Sequence, residues 1–244
     1  MIYLHEPNLL FFKTKKTAGT SVEIALSCNA TDQDIVTPIL PVDEAKRAEL
    51  GGRFPVNWAW DKAAEADYRA RFEQWRRDGK LPRRWFGLRK GRLYPRRAAK
   101  YINHISPAEL ARIPEGAALM DKAFVVTMVR HPYEVAVSWA AHLHANRGGD
   151  FARLLDRAAR HKPLNEAYVF GPRTPDFVIR FESLSDDLAT LEARFGLALR
   201  DRLPVTKGAA RKDRRRAADV LSPEQKTLIQ ASHARTFERF GYAP

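Results

Sequence analysis

Three short apolar runs along the chain have the pattern of buried strands. Leu9 to Phe12, Phe124 to Val129 and Phe177 to Phe181 are continuous and apolar, which is typical of strands covered on both faces of a parallel sheet. The first two runs each break into a polar turn and then into helical spacing, at Val22 to Leu26 and from Pro132 to about His144. Strands that alternate with helices predict an α/β fold with a mostly parallel sheet.

Helical patterns account for much of the remaining chain. Two of the predicted starts carry a serine followed three residues later by Glu or Gln, which is the sequence of a capping box. The predicted helices are one or two between Asp43 and about Arg77, a short one after Ser106, one from Phe151 to about Ala159, one from about Ser185 to Phe195, and a last one from Ser222 to Phe240. Gly79 to Arg97 is rich in Gly, Pro and Arg, which predicts a loop.

The turn after the first strand has the composition of an anion site. Lys13 to Ser21 contains three lysines, several hydroxyl side chains and one glycine, and either Thr20 or Ser21 is the predicted N-cap of the following helix. Backbone N–H groups in such a turn, aligned with the helix dipole, attract a phosphate. Gly19 would allow close backbone approach, and Lys16 would add a mobile positive charge. The turn is not a Walker A loop, because Lys16 precedes the glycine instead of following it.

Two residues after the second strand also suit a phosphate. Arg130 stands at the carboxyl end of that strand, and Ser138 lies eight residues further along, within the predicted helix. An arginine makes bidentate, charge-assisted contacts to phosphate, and a serine adds a neutral donor. Taken singly, a surface salt bridge is the simpler interpretation of Arg130, and a solvated helix position that of Ser138. Two such strand–turn–helix units together indicate one doubly phosphorylated nucleotide held at two points.

These two motifs resemble those of a known enzyme family. KTAGTS at Lys16 to Ser21 and RHPYEVAVSW at Arg130 to Trp139 are similar to the motifs of sulfotransferases that use 3′-phosphoadenosine 5′-phosphosulfate (PAPS). The nearest type is the carbohydrate one, which includes heparan-sulfate 2-O-sulfotransferases. The resemblance implies a P-loop-like three-layer α/β fold, with a central, mostly parallel sheet flanked by helices. It also implies a single domain over residues 1–244, with a basic, Trp-rich insert at about 43–100.

The resemblance assigns a role to each matched residue. Arg130 and Ser138 would take the 3′-phosphate, and Lys16 would also stabilise the charge on the departing 5′-phosphate, leaving 3′,5′-bisphosphoadenosine (PAP). In the basic stretch before the last helix, Lys207 and Arg211 would close over the cofactor, although a disordered loop is an equal alternative. The residues that would line the 5′ side are Lys16, Thr17, Ala18, Gly19, Thr20 and Ser21.

The same family suggests a general base. Its carbohydrate 2-O-sulfotransferases carry a histidine in a short H-[VI]-S sequence between the two motifs, and this chain has His104-Ile105-Ser106 there. Histidine suits proton removal from an acceptor hydroxyl near neutral pH. A capping or surface histidine is the alternative, and a glutamate of the middle region is the alternative base. His131 is interpreted as structural, and no metal-ligand spacing is visible, so no metal is expected.

The composition is strongly basic. The chain has 42 Lys and Arg against 29 Asp and Glu, a formal charge of +13 at pH 7, which predicts anionic partners. Arg76 to Lys100 holds eleven basic residues and one acidic one, and four of the five tryptophans lie in or just before it. Two interpretations stay open and can both hold. The stretch is an acceptor-binding surface for sugars or acidic polymers, or a helical insert whose tryptophans fill a small core of their own.

The remaining features set the compartment and the final prediction. The chain has a single cysteine, Cys28, and it shows neither a secretory signal pattern nor a long apolar stretch. These features favour a cytoplasmic, bacterial protein without a membrane span. We expect an O-sulfotransferase that moves the sulfuryl group of PAPS to a hydroxyl of a saccharide or glycolipid acceptor. The alternative is a non-catalytic protein that binds nucleic acid or an anionic polymer, which explains the charge and the tryptophans but not the two phosphate motifs.

Overall fold

A mixed five-stranded sheet forms the centre of the fold. The computed structural model describes residues 1–82, 96–204 and 215–244. The strands, which stand in the order β3-β1-β2-β4-β5, are β1 Ile2–Leu4, β2 Leu9–Phe11, β3 Ile35–Val36, β4 Phe124–Val129 and β5 Phe177–Arg180. β4 pairs parallel with β2 and β5, whereas β1 pairs antiparallel with β2 and β3. The carboxyl ends of β2, β4 and β5 therefore meet at one edge.

Helices make up most of the rest of the described chain. They are α1 Gly19–Ser27, α2 Pro41–Glu49, α3 Lys62–Arg77, α4 Pro107–Leu110, α5 Pro114–Lys122, α6 Pro132–Arg147, α7 Phe151–Ala159, α8 Glu166–Val169, α9 Leu184–Phe195, α10 Ala217–Val220, α11 Pro223–Ser232 and α12 Ala234–Phe240. No helix of the described residues combines the length and the apolar character needed to cross a membrane.

The sheet is covered by helices on both faces. Because side chains alternate along a strand, Leu9 and Phe11 of β2 point to one face and Leu10 and Phe12 to the other. The first face packs against α1 and α9, and the second against α4, α5 and α8. The predicted three layers of an α/β fold are therefore confirmed, and both faces of β2 are apolar because both are buried.

The predicted parallel arrangement holds for β2, β4 and β5, whereas the antiparallel pairings of β1 make the sheet as a whole mixed. Sequence patterns missed β1 and β3, which are only three and two residues long and carry no periodic signal of their own. β1 folds back onto β2 as a hairpin through the four residues His5 to Asn8. Sequence patterns also missed α5, and the last predicted helix is two helices that meet at His233.

The predicted insert contributes a small core of its own. Trp58 and Tyr68 are fully buried there, with ring centroids 5.7 Å apart, and Phe54 and Trp75 pack around them. Trp60, by contrast, is 58% exposed. The satellite-core interpretation therefore holds for Trp58 and Trp75 but not for Trp60. Most of the basic Gly79 to Arg97 stretch lies outside the described residues.

Replacing each of these two neighbouring tryptophans tests the small core. We expect Trp58→Ala to lower the free energy of unfolding by about 3–5 kcal/mol, the usual cost of removing a buried large aromatic side chain. Trp60→Ala is the matched control and should change it by less than about 0.5 kcal/mol, as for other exposed positions. Urea unfolding followed by circular dichroism measures both, and equal losses would contradict the assignment.

Candidate functional site

The loop after β2 is fixed to the neighbouring strand by a continuous set of hydrogen bonds. The backbone N–H of Phe12 donates to the carbonyl of Val126 at 2.9 Å, which continues the pairing of β2 with β4. One residue after Lys13, the hydroxyl of Thr14 donates to the carbonyl of Met128 at 3.0 Å and lies 2.7 Å from the hydroxyl of Thr17. The loop is therefore held against β4, the strand that ends at Val129, directly before Arg130.

The backbone of this loop takes an unusual conformation. Lys16 and Ala18 have φ angles of 66° and 65°, in the left-handed region that costs a residue with a side chain about 1–2 kcal/mol. Ala18 is the N-cap of α1, so the prediction of Thr20 or Ser21 as N-cap is wrong, and no side chain caps the helix there. Backbone strain of this kind clusters at ligand-binding sites. The first turn of α1 thus begins directly at the predicted phosphate loop.

A buried ion pair supports the loop from below. Lys13 is 2% exposed, and its ammonium lies 2.5 Å from the Glu23 carboxylate, which also accepts from the Thr37 hydroxyl at 3.2 Å. Burial raises the pKa of Glu23, but the Lys13 ammonium and nearby cations lower it by more, so the carboxylate stays charged. Gly19 packs on this pair, since a Cβ there would lie 2.6 Å from Cγ of Lys13. Lys13 is thus structural, and Lys15 and Lys16 remain as the less buried cations of the loop.

A second support reaches the loop from the side. The side-chain amide of Asn165 accepts from the backbone N–H of Lys15 at 2.7 Å and donates to its carbonyl at 2.8 Å. These two hydrogen bonds satisfy the backbone N–H and carbonyl of Lys15, as a neighbouring strand would do within the sheet. Asn165 carries no sequence signal, because it stands about 150 residues away from the loop.

Arg130 connects the second motif to the first. Its guanidinium donates to the carbonyl of Lys16 at 3.3 Å and to the carboxylate of Glu134 at 2.8 Å. The guanidinium carbon also lies 3.9 Å from the centroid of the Phe181 ring, at the end of β5. Three sequence segments therefore fix this side chain, and it is 15% exposed at the carboxyl edge of the sheet.

The rest of the second motif forms the first turns of α6. Pro132 occupies the first position, as predicted, and His131 caps the helix by accepting from the N–H of Tyr133 at 3.2 Å. His131 also contacts the carbonyl of Ala243 through Nε2, so its structural interpretation is supported. Glu134 and Ser138 are four residues apart, so they lie on one side of the helix. Arg130 lies on the same side, because its guanidinium contacts the Glu134 carboxylate. Ser138 is half-buried there.

The structure brings His104 to the same loop. Its Nδ1 lies 2.8 Å from the carbonyl of Lys13, although 91 residues separate the two. His104 has a φ angle of 61°, and the hydroxyl of Tyr168 donates to its backbone carbonyl at 2.7 Å. Among the described residues five non-glycine positions have positive φ, and His104 joins Lys16 and Ala18 as the third of them at this site.

The contact with Lys13 sets the protonation state of His104. A carbonyl accepts only, so Nδ1 must carry the proton, and a neutral ring then has its lone pair on Nε2. Burial, with the Lys13 ammonium as a further cause, holds the pKa of His104 well below its ordinary value of 6.5. The imidazole is therefore neutral at pH 7. This is the tautomer and charge that a general base requires.

The other sequence-predicted residues have mixed outcomes. Thr17 is fully buried with its hydroxyl turned to Thr14, so only its backbone is placed to line a phosphate. Thr20 and Ser21 lie in the first turn of α1 and are more than nine-tenths buried. Lys207 and Arg211 lie outside the described residues.

Two of the described carboxylates between the motifs have structural partners. Glu109 closes the capping box of α4 with Ser106, and Glu115 forms an ion pair with Lys100 at 3.0 Å. Over residues 1–82, 96–204 and 215–244, no three His, Cys, Asp or Glu side chains are grouped so that they could hold a metal ion.

Comparison with known proteins adds no relative. No protein-family model matches the chain, and no significant match is found among curated proteins or solved structures. The function must therefore be inferred from the geometry of this site.

The tautomer of His104 can be measured directly. We expect ¹⁵N NMR of the labelled protein to show His104 neutral at pH 6, with Nδ1 protonated and Nε2 bearing the lone pair. The physical reason is that burial disfavours the charged ring, the Lys13 ammonium disfavours it further, and the Lys13 carbonyl accepts from Nδ1. A ring that titrates near 6.5, or one protonated at Nε2 alone, would contradict this assignment.

Proposed function

We propose that the protein is a PAPS-dependent O-sulfotransferase with a P-loop-like arrangement of its sheet and loop. The observation that carries the proposal is the meeting of three distant segments at one edge of the sheet. The Lys16 carbonyl accepts from Arg130, and the Lys13 carbonyl accepts from His104. The second phosphate motif and the base candidate thus both contact the loop after β2, which leads into the first motif. Such convergence is not required for the stability of an α/β fold.

The first motif has the features of a site for the 5′-phosphosulfate. The loop is rigid before any ligand binds, since Thr14 and Asn165 fix it, and it leads into the positive end of α1. Lys16, with its half-buried side chain, supplies the cation that stabilises the departing phosphate. Lys13 cannot take this role, because it is buried against Glu23.

The second motif fits the 3′-phosphate. Arg130 is held in place by stacking on Phe181, and Glu134 orients its guanidinium. Ser138 lies one helical turn beyond Glu134, so a phosphate seated at Arg130 would have the serine hydroxyl on the same side. The phosphate would compete with the Glu134 carboxylate for Arg130. The contact between Arg130 and the 3′-phosphate is therefore expected to tighten only when the nucleotide binds.

His104 completes the proposed chemistry. PAPS supplies an activated sulfuryl group, and an acceptor hydroxyl of a saccharide or glycolipid attacks its sulfur. The new S–O bond forms as the bond from sulfur to the 5′-phosphate oxygen breaks, and PAP leaves. Nε2 of His104 takes the hydroxyl proton, while the Lys13 carbonyl holds the ring and the Tyr168 hydroxyl holds the backbone of His104 in position. Asn103 beside it has a buried amide oxygen without a hydrogen-bond partner in the described structure, which indicates a donor supplied from outside.

The proposal is tested by turnover of radiolabelled PAPS with a panel of hydroxyl acceptors. His104→Asn should lower turnover by about 10²–10⁴-fold, the usual loss of a general base, and leave PAP affinity unchanged. Asparagine tolerates the positive φ at this position, so the backbone is preserved.

His144→Asn is the matched control for this measurement. The Nδ1 of His144 also lies against a backbone carbonyl, that of Gly149 at 2.9 Å, but at the far end of α6. Turnover should be unaffected there. A His104 variant as active as the control would remove His104 from the proposed mechanism, and no transfer to any acceptor would remove the proposal itself.

A further inference from the structure

A groove lies away from the phosphate loop, between α5 and the segment that leads into α3. Its volume is about 630 Å³, within the usual range for small-ligand sites. The groove extends to His5, which follows β1, and to Lys122, which precedes β4. β1 runs antiparallel to β2, so His5 lies near the start of β2, and β4 runs parallel to β2, so Lys122 lies near that start as well. Lys13 follows the other end of β2. The groove is therefore a separate site.

Trp60 gives this groove an aromatic wall. It is the one large hydrophobic side chain among the described residues that is exposed, with 58% of its surface accessible. Its backbone is fixed, because its N–H donates to the carbonyl of Ala98 at 3.0 Å and Ala59 pairs with Ala99 in a short bridge. An exposed ring on a rigid backbone loses little conformational entropy when a ligand stacks on it.

Lys100 places a positive charge beside that wall. Its ammonium lies 5.3 Å from the ring centroid of Trp60 and 5.4 Å from that of Tyr101, and only 18% of the side chain is exposed. Its ion pair with Glu115 is 3.0 Å long, but Glu115 is 60% exposed, so solvent screens the pair and it contributes little to stability. An anionic ligand group could take the place of Glu115 without leaving a buried charge unpaired.

The other polar groups in the groove suit hydroxyls. Lys62, whose ammonium lies 2.5 Å from the amide oxygen of Asn57, supplies donors, and the carboxylate of Asp61 supplies acceptors. The three lysines of the groove stand against two carboxylates, so the groove is not the uniformly positive channel that a phosphate backbone requires. The charges favour a ligand with hydroxyls and isolated anionic groups over a nucleic acid.

We propose that this groove binds a saccharide that carries a carboxylate or sulfate group. A sugar ring stacks its C–H face on Trp60, its anionic group bonds to Lys100, and its hydroxyls meet Lys62 and Asp61. The site is independent of sulfuryl transfer, and its test requires only binding.

Titration calorimetry with tetragalacturonate as the probe tests this proposal, with neutral cellotetraose and the oligonucleotide dT6 as comparisons. The wild-type protein should bind tetragalacturonate with a heat that cellotetraose does not give. Trp60→Ala and Lys100→Met should each weaken binding by about 10-fold, through loss of ring stacking and of a charge-assisted hydrogen bond respectively. In ¹⁵N spectra the indole N–H of Trp60, assigned by its absence in Trp60→Phe, should shift on binding.

Lys46→Met is the matched control, because Lys46 forms a similar exposed ion pair with Glu49 at 2.8 Å on α2, outside the groove. Its affinity should stay within about twofold of the wild type, as expected of an exposed substitution away from the ligand. Equal losses of affinity in Lys46→Met and Lys100→Met would show that the binding is a general electrostatic attraction, and would overturn the proposal. No binding, an unshifted Trp60 resonance, or tighter binding of dT6 that depends on Trp60 would overturn it as well.

Discussion

The parallel pairing of β2 with β4 is the constraint on which the rest of the site depends. It brings the ends of two strands, more than a hundred residues apart in the chain, to adjacent places at one edge of the sheet. The loop after β2 and the start of α6 then face each other without any further requirement on the sequence. The Thr14 hydroxyl and the Arg130 guanidinium extend this pairing beyond the strands. Binding sites in α/β sheets usually form at such edges, where the connecting loops diverge.

The loop also depends on charge buried beneath it. Lys13 and Glu23 are both almost fully buried, and Glu23 also pairs with the amino-terminal ammonium of Met1 at 3.0 Å. Removing Glu23 would take one carboxylate away from two buried cations, and breaking a buried pair in this way typically costs about 3–5 kcal/mol. The same Lys13 offers its carbonyl to His104 and its charge to the imidazole. Lys13 therefore supports the loop through its ion pair, fixes the tautomer of His104 through its carbonyl, and adds its charge to the burial that keeps that ring neutral. Strained backbone at Lys16, Ala18 and His104 is maintained by these contacts.

Much of this arrangement could be predicted from the sequence because its signals are local. The apolar runs of β2, β4 and β5 and the Pro132 start of α6 were predicted at nearly their observed positions. Strands β1 and β3 could not be found, since two or three residues are too few to show a period, and their pairing is set by tertiary packing.

The site was predictable only in part, for a similar reason. The motif residues carry recognisable local patterns, but their supports do not. Lys13, next to the motif, is one of three lysines in the turn, and nothing in the local pattern marks it as the buried one or Glu23 as its partner. Asn165 and Tyr168 act on the loop and on the backbone of His104 from a distant segment, through hydrogen bonds that leave no periodicity in the sequence. Glu134 alone had an available signal, its spacing of four residues from Arg130.

The central claim is that one nucleotide is held by both motifs at once, and calorimetric titration tests it most directly. PAP, adenosine 5′-diphosphate and adenosine 5′-phosphate would be compared at moderate salt. The account predicts that PAP binds at least about 10-fold more tightly than the 5′-diphosphate, since only PAP places a phosphate at Arg130 as well as at the loop. Equal, weak and strongly salt-dependent binding of all three would contradict it, and would favour a protein that binds anionic polymers through its net charge.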